Sequence, residues 1–408
     1  MSPENSQAAA PSVPLDRTMI AVMMAGMCTF FNVYCTQPLL PYFRKIFQAS
    51  ELEVSFTVSA TILAVALMGP LVGALAERTG RKKVIVPSLL LLTVATMLCG
   101  TATSLRTLIL WRFVQGLFVP GVVVAILAYI NEEWEGRGVG RAMASYVTGT
   151  VIGGFLGRFT SGMVATHWGW RWSFVVLGVM NLACTIMVRA WLPLAKRFVR
   201  AEHFTHVLDD AKRHLRNWRL LANFGTGGAV LFSLVGCFTY ANFYLAAPPF
   251  HLNSAQLGSI FFVYLFGVAV TPFAGKFLDH FGFRPTAFLY CAMMIAGLLL
   301  TLVRSLPVVI AGLAVCSSGV FIAQAAATVQ TGAIAGRARS SAAGLYVTVY
   351  YLGGAAGATV TDWFWQRAGW PGCVALLGSV AAFSLVLAML SSRPHEALPH
   401  AEPEVVGD

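Results

Sequence analysis

Long apolar runs alternate with short polar ones along the whole chain. Twelve runs of about 20 mostly apolar residues, the length a helix needs to cross a bilayer core, can be marked off. They lie at roughly 18–40, 54–76, 84–103, 106–130, 141–165, 171–192, 220–245, 256–275, 286–304, 307–331, 341–365 and 371–391. Hydrocarbon offers no water to satisfy backbone groups, so each crossing segment has to be helical. The pattern predicts an all-α membrane protein with twelve transmembrane helices, numbered below as spans 1 to 12.

Composition agrees with this reading: 57% of residues are apolar, 11% are charged and the mean hydropathy is +0.71. A soluble domain carries about a quarter of charged residues. The net charge of +11 is a matter of topology. Nineteen Lys and Arg fall in the tails and the even-to-odd loops, against six in the opposite loops. That bias places both termini in the cytoplasm and calls for no nucleic-acid partner. Residues 1–17 and 393–408 are expected to be disordered cytoplasmic tails, with span 1 retained. In the linker 193–219, Phe204, Val207, Leu208, Ala211, Leu215 and Trp218 recur at helical spacing among seven Lys and Arg. Such an amphipathic helix would lie on the membrane surface and attract anionic membrane lipids.

The chain also repeats itself. Gly73-Ala-Leu-Ala-Glu77-Arg78-Thr-Gly80-Arg81-Lys82-Lys83 follows span 2, and Gly275-Lys-Phe-Leu-Asp279-His-Phe-Gly282-Phe-Arg284 follows span 8 at an offset of 202 residues. Tyr146-Val147-Thr148, Gly153-Gly154, Gly157 and Gly169-Trp170 recur at an offset of 200 as Tyr346-Val347-Thr348, Gly353-Gly354, Gly357 and Gly369-Trp370. Asn32, Tyr34 and Pro38 correspond to Asn242, Tyr244 and Pro248 at an offset of 210. One six-helix unit has been used twice, which predicts two pseudo-symmetric six-helix bundles, 18–192 and 220–392.

The glycine- and charge-rich loop after span 2, with its copy after span 8, resembles the signature loop of the major facilitator superfamily of secondary transporters. The resemblance covers about residues 18–392. In that family the acid of the loop faces the N-terminus of the eleventh helix. The base pairs with an acid at the end of the fourth helix, which locks the outward-facing state. The matching residues are Glu77 and Arg81, with Glu132 or Glu133 as the partner. The gate implied by the resemblance is Gly73, Glu77, Gly80, Arg81, Glu132 and Glu133, with Gly275, Asp279, Gly282 and Arg284 in the second half. A carboxylate at a helix N-terminus gains roughly 0.3–1 kcal/mol from the helix dipole. Glutamate stands at 77 where the family usually has aspartate.

The early Gln37-Pro38-x-x-Pro41 and the Gly153-Gly154-x-x-Gly157-Arg158 of span 5 carry the resemblance toward the bacterial branch of drug–proton antiporters and arabinose-efflux-type permeases. Arg112-x-x-Gln115-Gly116 in span 4 is similar to a motif whose arginine lines the cavity and is linked to proton transfer. In span 5, Gly149, Gly153, Gly157, Ser161 and Ala165 form a small-residue stripe at a spacing of four, which allows close helix approach. That stretch resembles the antiporter helix-5 motif, with Gly154 where proline is expected.

Polar groups inside hydrocarbon are costly unless they face protein or water. Asn32, Tyr34 and Gln37 near the end of span 1, and Tyr240, Asn242 and Tyr244 near the end of span 7, are therefore expected on the central cavity. Arg112 and Arg158 lie well inside spans, and Asp362, near the periplasmic end of span 11, is the acid deepest in one. If protons are coupled, Asp362 is the expected carrier, helped by Arg112. The positive balance repels cations from a low-dielectric cavity. The substrate is thus expected to be a neutral or anionic small molecule such as a sugar or organic acid. Arg158 or Arg112 would meet its oxygens, and Asn32, Tyr34, Gln115, Asn242 and Tyr244 would add hydrogen bonds. The alternative for Arg158 is a structural bond to carbonyls opened at Gly153-Gly154.

The expected protein is a monomeric secondary transporter of the bacterial inner membrane, working by alternating access in proton-coupled efflux. Multidrug export of lipophilic compounds and uptake are the alternatives within that class. A polytopic enzyme or sensor would need paired acids, clustered histidines or a nucleophile beside its base, and no such spacing occurs. No nucleotide-binding loop is present. The eight cysteines all fall inside spans without a Cys-x-x-Cys pair, and His203, His206 and His214 read as a solvated face, so no metal or cofactor is expected.

Overall fold

The computed structural model describes residues 15–134, 138–195, 213–335 and 339–392. The tails at 1–14 and 393–408 and the amphipathic positions 204–211 lie outside the described residues. The elements are α1 (Leu15–Val33), a 3-10 turn (Gln37–Leu39), α2 (Leu40–Phe47), α3 (Glu51–Thr79), α4 (Arg81–Gly100), α5 (Leu105–Glu133), α6 (Val139–Trp168) and α7 (Trp170–Trp191). There follow α8 (Trp218–Ala246), α9 (Ser254–Ile260), α10 (Val263–Phe281), α11 (Phe283–Leu300), α12 (Leu306–Ala335) and α13 (Arg339–Ser391). Span 1 is α1 with α2, and spans 2 to 6 are α3 to α7. Span 7 is α8, span 8 is α9 with α10, spans 9 and 10 are α11 and α12, and the two arms of α13 are spans 11 and 12.

Among the described residues, nine helices are long and apolar enough to cross a membrane, and one of them, Ala342–Ser391, holds two crossings. The remaining two are α6, diluted by glycine, serine and threonine, and the divided span 8. Span 1 is not the single helix expected over 18–40. Pro38 and Pro41 remove backbone donors and impose a break after Val33. Helices also overrun the apolar stretches where polar caps extend them. At the start of α3, Ser50 N–H donates to Glu53 Oε2 at 2.8 Å while Glu53 N–H donates to Ser50 Oγ at 3.2 Å, a capping box that adds a turn before the predicted start.

The duplication is visible in the reversals. Gly80 and Gly282, and likewise Gly169 and Gly369, turn the chain with φ of +97°, +82°, +89° and +58°. An L side chain rarely adopts these angles, so the repeat had to keep glycine there. It is visible in packing too. A Cβ on Gly149, Gly153 or Gly157 would collide with the carbonyl oxygens of Met23, Met27 or Phe31, so span 5 lies backbone to backbone on span 1. In the second half Gly353 and Gly357 meet the carbonyls of Gly228 and Phe232 in the same four-residue register.

The bundles join in the half of the molecule opposite the chain ends. There Ala255 N–H donates to Thr166 Oγ1 at 3.1 Å, Phe155 meets Phe262 at 5.9 Å, and Gln366 Nε2 donates to Glu51 Oε2 at 3.3 Å. Leu67, Leu71 and Leu75, on the half of α3 nearer the chain ends, are exposed.

Overpacking a close contact of this kind costs about 1–3 kcal/mol. Gly153→Val is therefore expected to lower the unfolding temperature in detergent. Gly140→Ala, where nothing lies within 4 Å of the added carbon, should leave it unchanged. Equal midpoints for the two variants would contradict the packing described.

Candidate functional site

The break in span 1 leaves carbonyls at the end of α1 without helical partners. Arg112, fully buried on span 4, fills them: Nη1 donates to Asn32 O at 2.7 Å, Nη2 to Val33 O at 2.5 Å, and Nε to Thr57 O of span 2 at 2.8 Å. Nη1 also donates to Gln115 Oε1. Gln115 Nε2 in turn donates to Asn32 Oδ1 at 2.9 Å and to Thr96 Oγ1 at 2.7 Å, and Asn32 Nδ2 reaches Asn181 Oδ1 at 3.3 Å. Asn181 donates to Thr93 Oγ1 at 2.7 Å. Spans 1, 2, 3, 4 and 6 are thereby tied by one satisfied network. Arg112, Gln115 and Asn32 thus lie inside the first bundle rather than on the cavity as expected, because a helix break within hydrocarbon needs donors more than the cavity does.

Arg158 stands elsewhere, where the bundles meet, and is 2% exposed. Nε donates to Gln37 Oε1 at 2.7 Å and Nη1 to Gly154 O at 2.6 Å. Gln37 passes the contact on, since its Nε2 donates to Thr239 Oγ1 of span 7 at 3.3 Å. The guanidinium carbon lies 4.6 Å from the ring centre of Tyr34, 4.4 Å from Phe261 and 5.0 Å from Tyr264. Span 8 comes this close because Gly258 rests on the Arg158 carbonyl, where a Cβ would sit at 2.6 Å. Among the described residues no acid pairs with Arg158, whereas Arg44 pairs with Glu51 and Arg81 with Glu132. On span 11 the rings of Tyr350 and Tyr351 are buried and meet edge-on at 5.5 Å. The hydroxyl of Tyr264 is buried and has no partner among the described residues. Arg158, Tyr34 and Gln37 are thus brought together, while Phe261, Tyr264, Tyr350 and Tyr351 have no sequence signal beyond being aromatic.

A second polar group crosses the seam between spans 2, 7 and 11. Tyr240 Oη donates to Asp362 Oδ1 at 3.2 Å, and Gln366 Nε2 reaches both Asp362 Oδ1 at 3.4 Å and Glu51 Oε2 at 3.3 Å. Arg44 closes the chain with a 3.2 Å ion pair to Glu51. Glu51 and Gln366 escaped the sequence reading because they sit at helix ends, where polar residues are ordinary. The other two residues of the span 7 cluster lie apart from both groups. Asn242 Nδ2 donates to its own helix at Phe238 O, 2.5 Å away, and the Tyr244 ring stacks on Trp370 at 5.2 Å.

At the end of the molecule carrying the chain ends, Arg81 Nη2 lies 2.6 Å from Glu132 Oε1. Glu132 is thus the Arg81 partner, and Glu133 ends α5 beside it. Gly73 lies on α3, and the side chain of Glu77 lies outside what the structure describes. In the copy, Asp279 is exposed near the end of α10 and Gly275 has open space around it. Arg284 is not at the bundle seam. Its Nε donates to Ser392 Oγ at 2.8 Å, joining spans 9 and 12 as Lys82 Nζ joins spans 3 and 6 by donating to Arg189 O at 2.9 Å. No three His, Cys, Asp or Glu side chains converge as metal ligands among the described residues.

Leaving a buried acceptor unpaired costs about 1–3 kcal/mol. Arg112→Gln is accordingly expected to lower folded yield and unfolding temperature sharply, with Arg112→Lys recovering part of the loss. A wild-type midpoint for Arg112→Gln would contradict the structural role.

Comparison with known proteins places this architecture. The profile of the Major Facilitator Superfamily matches residues 22–247 and 228–406. The Inner membrane transport protein YnfM of Escherichia coli (strain K12) is 32% identical over 386 residues, covering 94% of this chain and 91% of that protein. An uncharacterized transporter of Buchnera aphidicola subsp. Schizaphis graminum is 30% identical over 375 residues, covering 92% and 91%. The Chloramphenicol resistance protein CraA of Acinetobacter baumannii is 24% identical over 297 residues, 70% of each chain. A solved bacterial homologue of the human lysosomal transporter Spinster, in an inward-facing and occupied conformation, superposes with a TM-score of 0.75 at 14% identity, covering 92% of this chain and 96% of that one. The chain belongs to the Major Facilitator Superfamily and is a multi-pass membrane transporter.

Proposed function

We propose that this transporter carries a neutral or anionic small molecule, a sugar or an organic acid, past Arg158 by alternating access. The observation that carries this reading is a buried guanidinium at the junction of the bundles with no acidic partner among the described residues. Three aromatic faces stabilise it by about 0.5–2 kcal/mol each. An anion 4 Å away would add about 4 kcal/mol at an effective dielectric constant of 20, and a cation would lose as much. The Tyr264 hydroxyl, buried and without a partner among the described residues, would donate to a solute oxygen. Bundles joined at the end away from the termini, with the lysine- and arginine-rich loops at the other, support an inward-facing state with both termini cytoplasmic. In that state the Arg81–Glu132 pair stays formed within the first bundle and so does not by itself lock the outward-facing state. YnfM's name supports the bacterial inner membrane, and CraA's name supports export.

Competition assays with matched cationic, neutral and anionic compounds test the charge reading. Arg158→Gln should raise the half-saturation of anions at least ten-fold relative to that of neutral compounds in the same folded sample, with Arg158→Lys in between. Preference of the wild type for lipophilic cations would overturn it.

Proton coupling at Asp362 is the second part of this reading, supported by its bond to Tyr240 and its link through Gln366 to Glu51 across the bundle seam. Two acids sharing one amide cannot both be charged without cost, so a proton taken up there favours the joined arrangement. In proteoliposomes Asp362→Asn should abolish pH-driven transport and retain counterflow. Unchanged proton dependence in that variant would remove the assignment.

A further inference from the structure

We propose that the mouth between spans 3 and 6 holds one anionic diacyl phospholipid, its phosphate on Lys82, Lys83 and Arg189 and its acyl chains along both helices. The mouth is a cavity of about 280 Å³ lined by Lys82, Lys83, Val86, Pro87, Arg189 and Leu194, three cations and no acid. Lys82 Nζ donates to the Arg189 carbonyl, which fixes the two helix ends side by side and leaves the Arg189 side chain exposed next to Lys83.

Away from this charged mouth the surface is apolar on both helices. On α4 the exposed residues are Pro87, Leu90, Leu91 and Val94, and on α7 they are Ile186, Leu182 and Val179, with Val94 54% and Ile186 60% exposed. Spacings of three and four keep each set on one helix face. At 1.5 Å per residue, the stretches from Lys83 to Val94 and from Arg189 to Val179 run about 15–17 Å. That is half of a hydrocarbon core about 30 Å thick, the depth of a single leaflet. Positive charge at the headgroup level above one leaflet of apolar surface is the outline of an anionic phospholipid, and with the termini cytoplasmic, as proposed above, the leaflet concerned is the one whose surface carries negative charge.

The duplication supplies an internal comparison. In the second bundle Arg284 takes the place of Lys82 and spends its Nε on Ser392 Oγ, while Pro285 follows it and residues 389–392 carry no cation. The helix layout is shared, so among the described residues the basic mouth comes from side chains of the first bundle and is no consequence of the fold.

The test uses the delipidated full chain in detergent, titrated with dioleoyl phosphatidylglycerol, dioleoyl phosphatidylcholine or glycerol phosphate and read by native mass spectrometry. One phosphatidylglycerol is expected to bind with clear preference over phosphatidylcholine, and glycerol phosphate at equal concentration should not displace it. Lys83→Gln with Arg189→Gln spares the Lys82 bond, and should weaken phosphatidylglycerol binding at least ten-fold while leaving phosphatidylcholine unchanged. The single Lys83→Gln, at an exposed helix end, should weaken it about five-fold and covers the case in which the double variant folds poorly. Equal binding of the two lipids, unchanged binding by the variants, or displacement by glycerol phosphate alone would each overturn the proposal, the last by reducing the mouth to a bare anion site.

Discussion

The bonds from Arg112 to the broken end of α1 are what the central architecture depends on. A helix that stops inside hydrocarbon strands its last carbonyls, and only a fixed multiple donor can satisfy several at once. With Asn32 O, Val33 O and Thr57 O held, span 1 can turn through Pro38 and present Gln37 to Arg158 and Thr239. The two deep arginines therefore do different work in sequence. One makes the turn possible, and the other uses what the turn presents.

Opposite charges are kept on opposite seams. Arg158 sits where span 5 meets span 8, and Asp362 where span 11 meets span 2, beside Glu51 and Tyr240. Neither seam buries an ion pair of both, so neither charge is spent on the other. A buried pair would have offset much of its attraction by desolvation and tied the seams together. Held apart, each charge can respond to a different partner.

The repeated unit was duplicated in its backbone more faithfully than in its chemistry. Reversing glycines and the backbone-to-backbone contacts recur in both halves, because a turn with positive φ or a helix crossing without side chains tolerates little else. Polar residues diverged. The first bundle holds an extended hydrogen-bonded network around Arg112, and the second joins spans 7 and 10 through Asn223, whose Nδ2 donates to Ala327 O and Thr331 Oγ1.

Span number, helical state and duplication were legible in the residues, because each follows from local rules, while the Arg81 pairing came from the family resemblance, which left Glu132 and Glu133 open until the structure chose Glu132. Hydrocarbon imposes length and helicity, and positive φ or close approach imposes glycine. The sequence also marked Arg112, Arg158, Asn32 and Tyr34 as polar groups that must face protein or water, and placed them on the cavity, but what each one faces is a fact about neighbouring helices. Only the tertiary structure turned Arg112, Asn32 and Gln115 inward, brought Phe261 and Tyr264 of span 8 onto Arg158, and set Glu51 beside Asp362 through Gln366. The physical reason is that a polar residue on a span announces its cost in lipid and nothing about direction. Rotation of each helix about its own axis, and the helix it faces across the seam, are decided by packing between spans far apart in the chain.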